Sequence, residues 1–174
     1  MAKKIKTIVK DEKAHYSSVN GWNLPISRKF AVEIGRYIRY KGVKKAKVLL
    51  ERAISLKSAI PFNVYNRDLG HKPGIAAGRY PVKASKEILK MLESLEANAE
   101  NKSLDTNNLV ITEYIANQGN MMRHAGRKRG QKMKRTHVYI KAEEKEIKNK
   151  TEKKKEIKKW LKGNFYKEKS KNTK

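Results

Sequence analysis

Apolar side chains recur along this chain at two different spacings, and the change of spacing divides it into elements. In SRKFAVEIGRYIRY (27–40), Phe30, Ile34, Tyr37 and Ile38 fall at i, i+4, i+7 and i+8, one face of a helix. Ser27 stands where an N-cap belongs, Pro25 keeps the chain extended before it, and Gly42 is read as the stop. A second helix over about 43–57 aligns Ala46, Leu49, Leu50, Ala53 and Ile54. A third starts at Pro81, buries Ile88, Leu92, Leu95 and Ala99, and gives way at NKSLDTNN (101–108). The pattern then becomes strand-like. LVITEYIA (109–116) and HVYI (137–140) are rich in β-branched and aromatic residues, and HYSSVNGW (15–22) reads as a short strand entering a turn at Asn20-Gly21.

Two long stretches fit neither spacing. PFNVYNRDLGHKPGIAAGRY (61–80) carries three glycines and is expected to be a long ordered loop, a type that is commonly functional. Residues 117–136 separate two strands, which suits an extended hairpin arm turning near Gly126–Gly130 and reaching roughly 25–35 Å at about 3.4 Å per residue. Met121, Met122 and Met133 are its only sizeable apolar side chains, too few to order a two-stranded ribbon unaided.

Charge sharpens this picture. The 174 residues include 43 Lys and Arg against 17 Asp and Glu, a formal charge of +26. Self-repulsion on that scale points to a polyanionic partner, nucleic acid before an anionic membrane, since no apolar run is long enough to span and no lipidation signal is present. The N-terminal stretch lacks the apolar segment of a signal peptide, so a soluble, cytoplasmic protein without membrane insertion is expected. Residues 1–12 read as a basic leader, 13–142 as one domain, and 143–174 as a Lys/Glu-rich tail.

Catalysis finds no support in the chain. With no cysteine and four scattered histidines, neither a thiolate nucleophile nor a metal site is expected. The segment from Gly74 to Arg79 has one residue too few between its glycines for a phosphate loop, and lacks the following Lys-Ser/Thr. No catalytic residue and no cofactor is nominated.

The arm is different. From Tyr114 to Ala142 there are eight Lys or Arg and no acid. Seven of them are Arg123, Arg127, Lys128, Arg129, Lys132, Lys134 and Arg135. Arginine forks onto phosphate and stacks on bases, and Gly126 and Gly130 permit close backbone approach. A second basic set surrounds the loop into the third helix. There His71 and Lys72 precede Arg79 and Lys83, which flank a helix start able to attract phosphate. Trp22 is read as a packing residue, because aromatics are 7% of the chain and are not interleaved with basic residues.

The runs SRKFAVEIGRYIRYKGVKKAKVLLERAISLKSAIPF, GHKPGIAAGRYPVKASKEILKMLESLEANAENKSLDTNNLVI and THVYI together resemble one family. It is the universal large-subunit ribosomal protein numbered twenty-two in bacteria and archaea and seventeen in eukaryotes. The likeness covers about residues 13–142. Its ANAE-x-x-x-LD-x-x-x-L stretch (97–109) is specific, and the IPF…AGRYP segment resembles the archaeal and eukaryotic branch.

The resemblance implies an α+β fold. It has a small antiparallel sheet packed on three helices, a long protruding β-hairpin arm, and here a Lys-rich C-terminal tail outside the shared pattern. It implies a structural constituent of the large ribosomal subunit that binds large-subunit ribosomal RNA, neighbouring large-subunit proteins and, in the exit tunnel, the nascent polypeptide. The hairpin lines the tunnel wall and the body sits near the outer opening. By matched position, Arg28, Lys29, Arg79 and Lys83 join His71, Lys72 and the arm's basic residues as RNA-binding candidates, with Gly126, Arg127, Lys128, Arg129 and Gly130 as tunnel-lining candidates. The family's Pro-Arg-Ala…Gly-Arg-Ala arm pattern is replaced here by AGRKRGQ (125–131), so individual tunnel contacts do not transfer. The rival function is a free-standing RNA- or DNA-binding regulator using the same arm.

Overall fold

The computed structural model describes residues 15–144. The expected leader over 1–12 and all but the first two residues of the expected tail lie outside the described residues. Strand β1 (Tyr16–Leu24) is followed by helices α1 (Arg28–Ile38) and α2 (Val43–Ile54), then by strands β2 (Ile60–Pro61), β3 (His71–Lys72) and β4 (Ile75–Arg79). Helix α3 (Val82–Asn101), strand β5 (Leu109–Gln118), a 3-10 turn (Gly126–Lys128) and strand β6 (Thr136–Glu144) complete the order.

The main sheet has the order β1-β6-β5, antiparallel throughout, and its inner face packs on the helices. Ile34, Ile38, Leu50, Ile88, Leu92, Leu95 and Ala99 close the core against Leu109, Ile111 and Ile140, all fully buried. Helical apolar stripes and alternating strand positions thus meet as their periods require.

Four expectations are corrected. The segment 61–80 is a loop only over 62–70: β2, β4 and β3 pair as a second small antiparallel sheet, with Ile60 opposite Arg79 and His71 opposite Ala77. Short strands flanked by Pro and Gly leave too little alternation to be seen in sequence. Asn20-Gly21 is not a turn either, because β1 runs straight through it. Gly21 packs under α3: a Cβ at this position would lie 2.7 Å from the sulfur of Met91, the flexible end of that side chain.

Helix α1 ends at Ile38 rather than at Gly42, which instead N-caps α2. Tyr40 takes the left-handed conformation (φ 62). Its N–H donates to the Ile111 carbonyl (2.8 Å) while Ile111 N–H donates to the Lys41 carbonyl (3.0 Å), so the connection is tied to β5. Ser27 does occupy the N-cap position of α1, but its side chain makes no capping bond. Finally, Trp22 is not packed inside: it is 71% exposed.

Candidate nucleic-acid interface

The arm joins the edge strand β5 to the central strand β6 of the main sheet. Beyond Gln118 and Thr136 the regular ladder of β5 and β6 stops, and cross-strand bonds become intermittent. Gly119 N–H donates to the Arg135 carbonyl (2.9 Å), Met133 N–H to the Met122 carbonyl (2.7 Å), and His124 N–H to the Gln131 carbonyl (3.1 Å). The tip closes through Arg129 N–H donating to the Gly126 carbonyl at 3.1 Å. The hairpin connectivity expected for 117–136 is therefore present, but not as two continuous strands. With Met122 opposite Met133 as its one pair of sizeable apolar side chains, the ribbon has little side-chain energy to hold a regular ladder.

The root of the arm is latched to β1. One guanidinium nitrogen of Arg135 donates to the Asn23 carbonyl (3.1 Å), and Asn23 N–H donates to Nδ1 of His137 (3.2 Å). Thr136, buried, donates its hydroxyl to the Ile26 carbonyl at 2.9 Å. These bonds fix where the returning strand passes the body.

There the arm and body form one cleft of about 520 Å³. Lys83, second residue of α3, lines it together with Lys132, Lys134 and Arg135 of the arm, while Ser27 and Phe30 of the α1 entry supply the opposite wall. Among the described residues, no carboxylate lines the cleft. Four cationic side chains in one concavity make a local positive field suited to a sugar–phosphate chain.

Arg28 and Lys29 gather elsewhere, around the ring of Tyr65 at 5.9 and 6.0 Å from its centroid. The loop carrying Tyr65 is held by Glu33, a buried carboxylate on α1. It accepts N–H groups from Asn63 (3.0 Å), Val64 (2.9 Å) and Tyr65 (2.7 Å). His71 and Lys72 lie on β3 and Arg79 ends β4, so these three share the small sheet; Lys72 stands 5.9 Å from the Tyr80 ring centroid. Arg123 bridges Lys132 across the arm. Arg127, Lys128 and Arg129 are exposed at the tip with Gly126 and Gly130.

The sequence candidates thus fall into a cleft set, an α1 set, a small-sheet set and an exposed tip. Only Lys83 among the body candidates is brought to the arm. Glu33 is a positioning residue that sequence reasoning misses, although its place between Phe30 and Ile34 on the apolar face of α1 marks it as an acid that must be satisfied internally. Among the described residues, no group of three or more His, Asp or Glu could hold a metal ion, and no helix is long and apolar enough to cross a membrane.

Comparison with known proteins gives a consistent result. The family described as ribosomal protein L22p/L17e matches residues 19–145. Large ribosomal subunit protein uL22 of Archaeoglobus fulgidus is 48% identical over 105 residues, covering 59% of this chain and 68% of the relative. Its namesake in Methanosphaera stadtmanae is 46% identical over 106 residues, covering 59% and 69%. That of Ignicoccus hospitalis is 39% identical over 134 residues, covering 71% and 84%.

Proposed function

The chain belongs to the ribosomal protein L22p/L17e family, and on that premise we propose that it is a structural constituent of the large ribosomal subunit, bound to large-subunit ribosomal RNA through its arm and the cleft at the arm's root. It carries no chemistry of its own. The tip, residues 126–130, lines the tunnel through which nascent polypeptide leaves, and the body lies near the outer opening beside neighbouring large-subunit proteins.

The observation that carries the RNA-binding reading is the cleft. Lys83 from the body meets Lys132, Lys134 and Arg135 from the arm, with no acid among the described lining residues. A protein surface without an anionic partner gains nothing from concentrating like charge in a concavity, where mutual repulsion is strongest. Phosphates relieve that repulsion and release counterions as they bind.

The division of labour is testable by competition. Full-length protein and two variants are offered to assembling subunits: one with residues 120–134 replaced by a tight Asn-Gly turn, one with Arg28, Lys29, Arg79 and Lys83 changed to Ala. The armless chain should still enter subunits, whereas the body variant should be out-competed by the wild type. Exclusion of the armless chain with normal entry of the body variant would make the arm the primary anchor. Recovery of the wild type as a free pool, away from large subunits on sedimentation, would favour the free-standing regulator.

A further inference from the structure

The outer face of the main sheet carries a second feature that the basic cleft does not explain. Strand pairing sets Asn20 opposite Tyr139 and Tyr139 opposite Ile115, with His137 opposite Asn117 in the next row. Trp22 stands edge-on to His137, ring centroids 5.0 Å apart, and is 71% exposed. These side chains surround a shallow cleft of about 150 Å³. The ring of Trp22 on β1 is thereby gathered with those of His137 and Tyr139 on β6, which lie far from it in sequence, on one solvent-facing surface.

We propose that this face receives one unpaired nucleobase of the bound RNA, stacked on Trp22 and contacted at its edges by the amides of Asn20 and Asn117. The inference rests on the RNA-binding reading above and adds a base-recognition site to it. Indole and phenol faces stack on any base, and carboxamides can pair with a base edge.

Charge and continuity favour RNA over a protein partner. Among the described residues, no carboxylate lines this cleft. Farther down the same face Lys141 is paired with Glu143 at 3.0 Å, so that end is internally neutralised. At the Trp22 end the neighbouring residue, Asn23, holds the guanidinium of Arg135, which also lines the basic cleft. Arg135 thus connects the two features: it lines the basic cleft and is bonded at the residue next to Trp22. The apolar patch is also small and broken by two amides, a poor match to the continuous apolar centre of a stable protein interface.

The test uses the full chain and its Trp22→Ala and Trp22→Phe variants, with a short oligoadenylate and a blunt RNA duplex as probes across a salt series. Stacking on one aromatic contributes a roughly 5- to 150-fold affinity for a single base. Trp22→Ala should therefore weaken oligoadenylate binding by a factor in that range and leave duplex binding unchanged, while Trp22→Phe retains most of the affinity. The salt slope should stay the same, because stacking releases no counterions. Equal binding of oligoadenylate by wild type and Trp22→Ala would overturn the proposal while leaving the RNA-binding function standing. Absence of a neighbouring protein from subunits assembled with Trp22→Ala, with RNA affinity intact, would overturn it in favour of a protein contact. Failure of the wild type to bind either RNA would instead strike the function proposed above.

Discussion

Oε1 of Glu33 and the backbone nitrogen of Tyr65 lie 2.7 Å apart, and through this bond a buried acid on α1 sets the position of an aromatic ring that two cations surround. The same carboxylate also takes the N–H groups of Asn63 and Val64. In a strongly basic protein, one of its few acids serves the backbone rather than a lysine.

Removing that carboxylate should loosen the loop before it unfolds the domain. Glu33→Ala deletes three charge-assisted bonds, although the freed N–H groups can reach water, so a loss of about 2 kcal/mol is expected by denaturant titration. Hydrogen exchange should show lost protection confined to the amides of 63–65. Glu33→Gln, which keeps an acceptor in place, should lose less. Unchanged exchange at these three amides in Glu33→Ala would refute the clamp.

Gly35 and Tyr114 test packing. A Cβ on Gly35 would lie 2.0 Å from the Tyr114 ring, too close to coexist with it. Gly35→Ala should cost about 3 kcal/mol, at the upper end for overpacking. Combining it with Tyr114→Ala should recover part of that loss, since the clash disappears. Strict additivity of the two substitutions would show that the clash is relieved by backbone movement instead.

The Tyr114 hydroxyl is buried without a hydrogen-bond partner among the described residues, and burial pushes its pKa well above the ordinary tyrosine value. The folded chain thus holds this proton where the unfolded chain releases it. Stability should fall as pH rises past about 10, the unfolded value, because the unfolded state then binds fewer protons. Tyr114→Phe removes the orphaned hydroxyl and this linkage together. It should be more stable than wild type by about 1 kcal/mol at neutral pH, with the margin widening above pH 10. Thermal unfolding of both proteins from pH 7 to 11 is the measurement; a margin independent of pH would contradict the burial of that group.

The cleft makes a prediction in salt. Lys83, Lys132 and Lys134 are exposed and make no ion pair among the described residues. Replacing all three by Ala should therefore leave folding intact. The slope of log affinity for RNA against log salt should become shallower by roughly 0.7–0.9 for each phosphate that is no longer neutralised. An unaltered slope would remove these lysines from the interface.

Sequence makes the helices legible because their stripes are long: Ile88, Leu92, Leu95 and Ala99 repeat over three turns, and all are buried. The family likeness is carried by such stretches. The small sheet is hidden because two of its strands have only two residues each, below the length at which alternation can be recognised. For Trp22, residue type misleads. Its parity carries the right information, since Ser17 is buried and Gly21 lies under Met91, which sends position 22 outward. The joining of Lys83 to Lys132, Lys134 and Arg135 has no local signal at all, because it depends on how the arm's root is latched to β1.

The order β1-β6-β5 has a bearing on how this chain acquires its fold. The central strand is the last of the three in sequence, so β1 and β5 have no partner in the sheet until Thr136–Glu144 is available. Closing β1 onto β6 spans over a hundred residues, Tyr16 to Glu143, a loop whose closure is slow relative to the local helices. During synthesis the helices can form early, while the sheet must wait until the basic arm has already been made. The arm is thus exposed to polyanions before the body that anchors it is complete, and RNA met at that stage would act on a half-built protein.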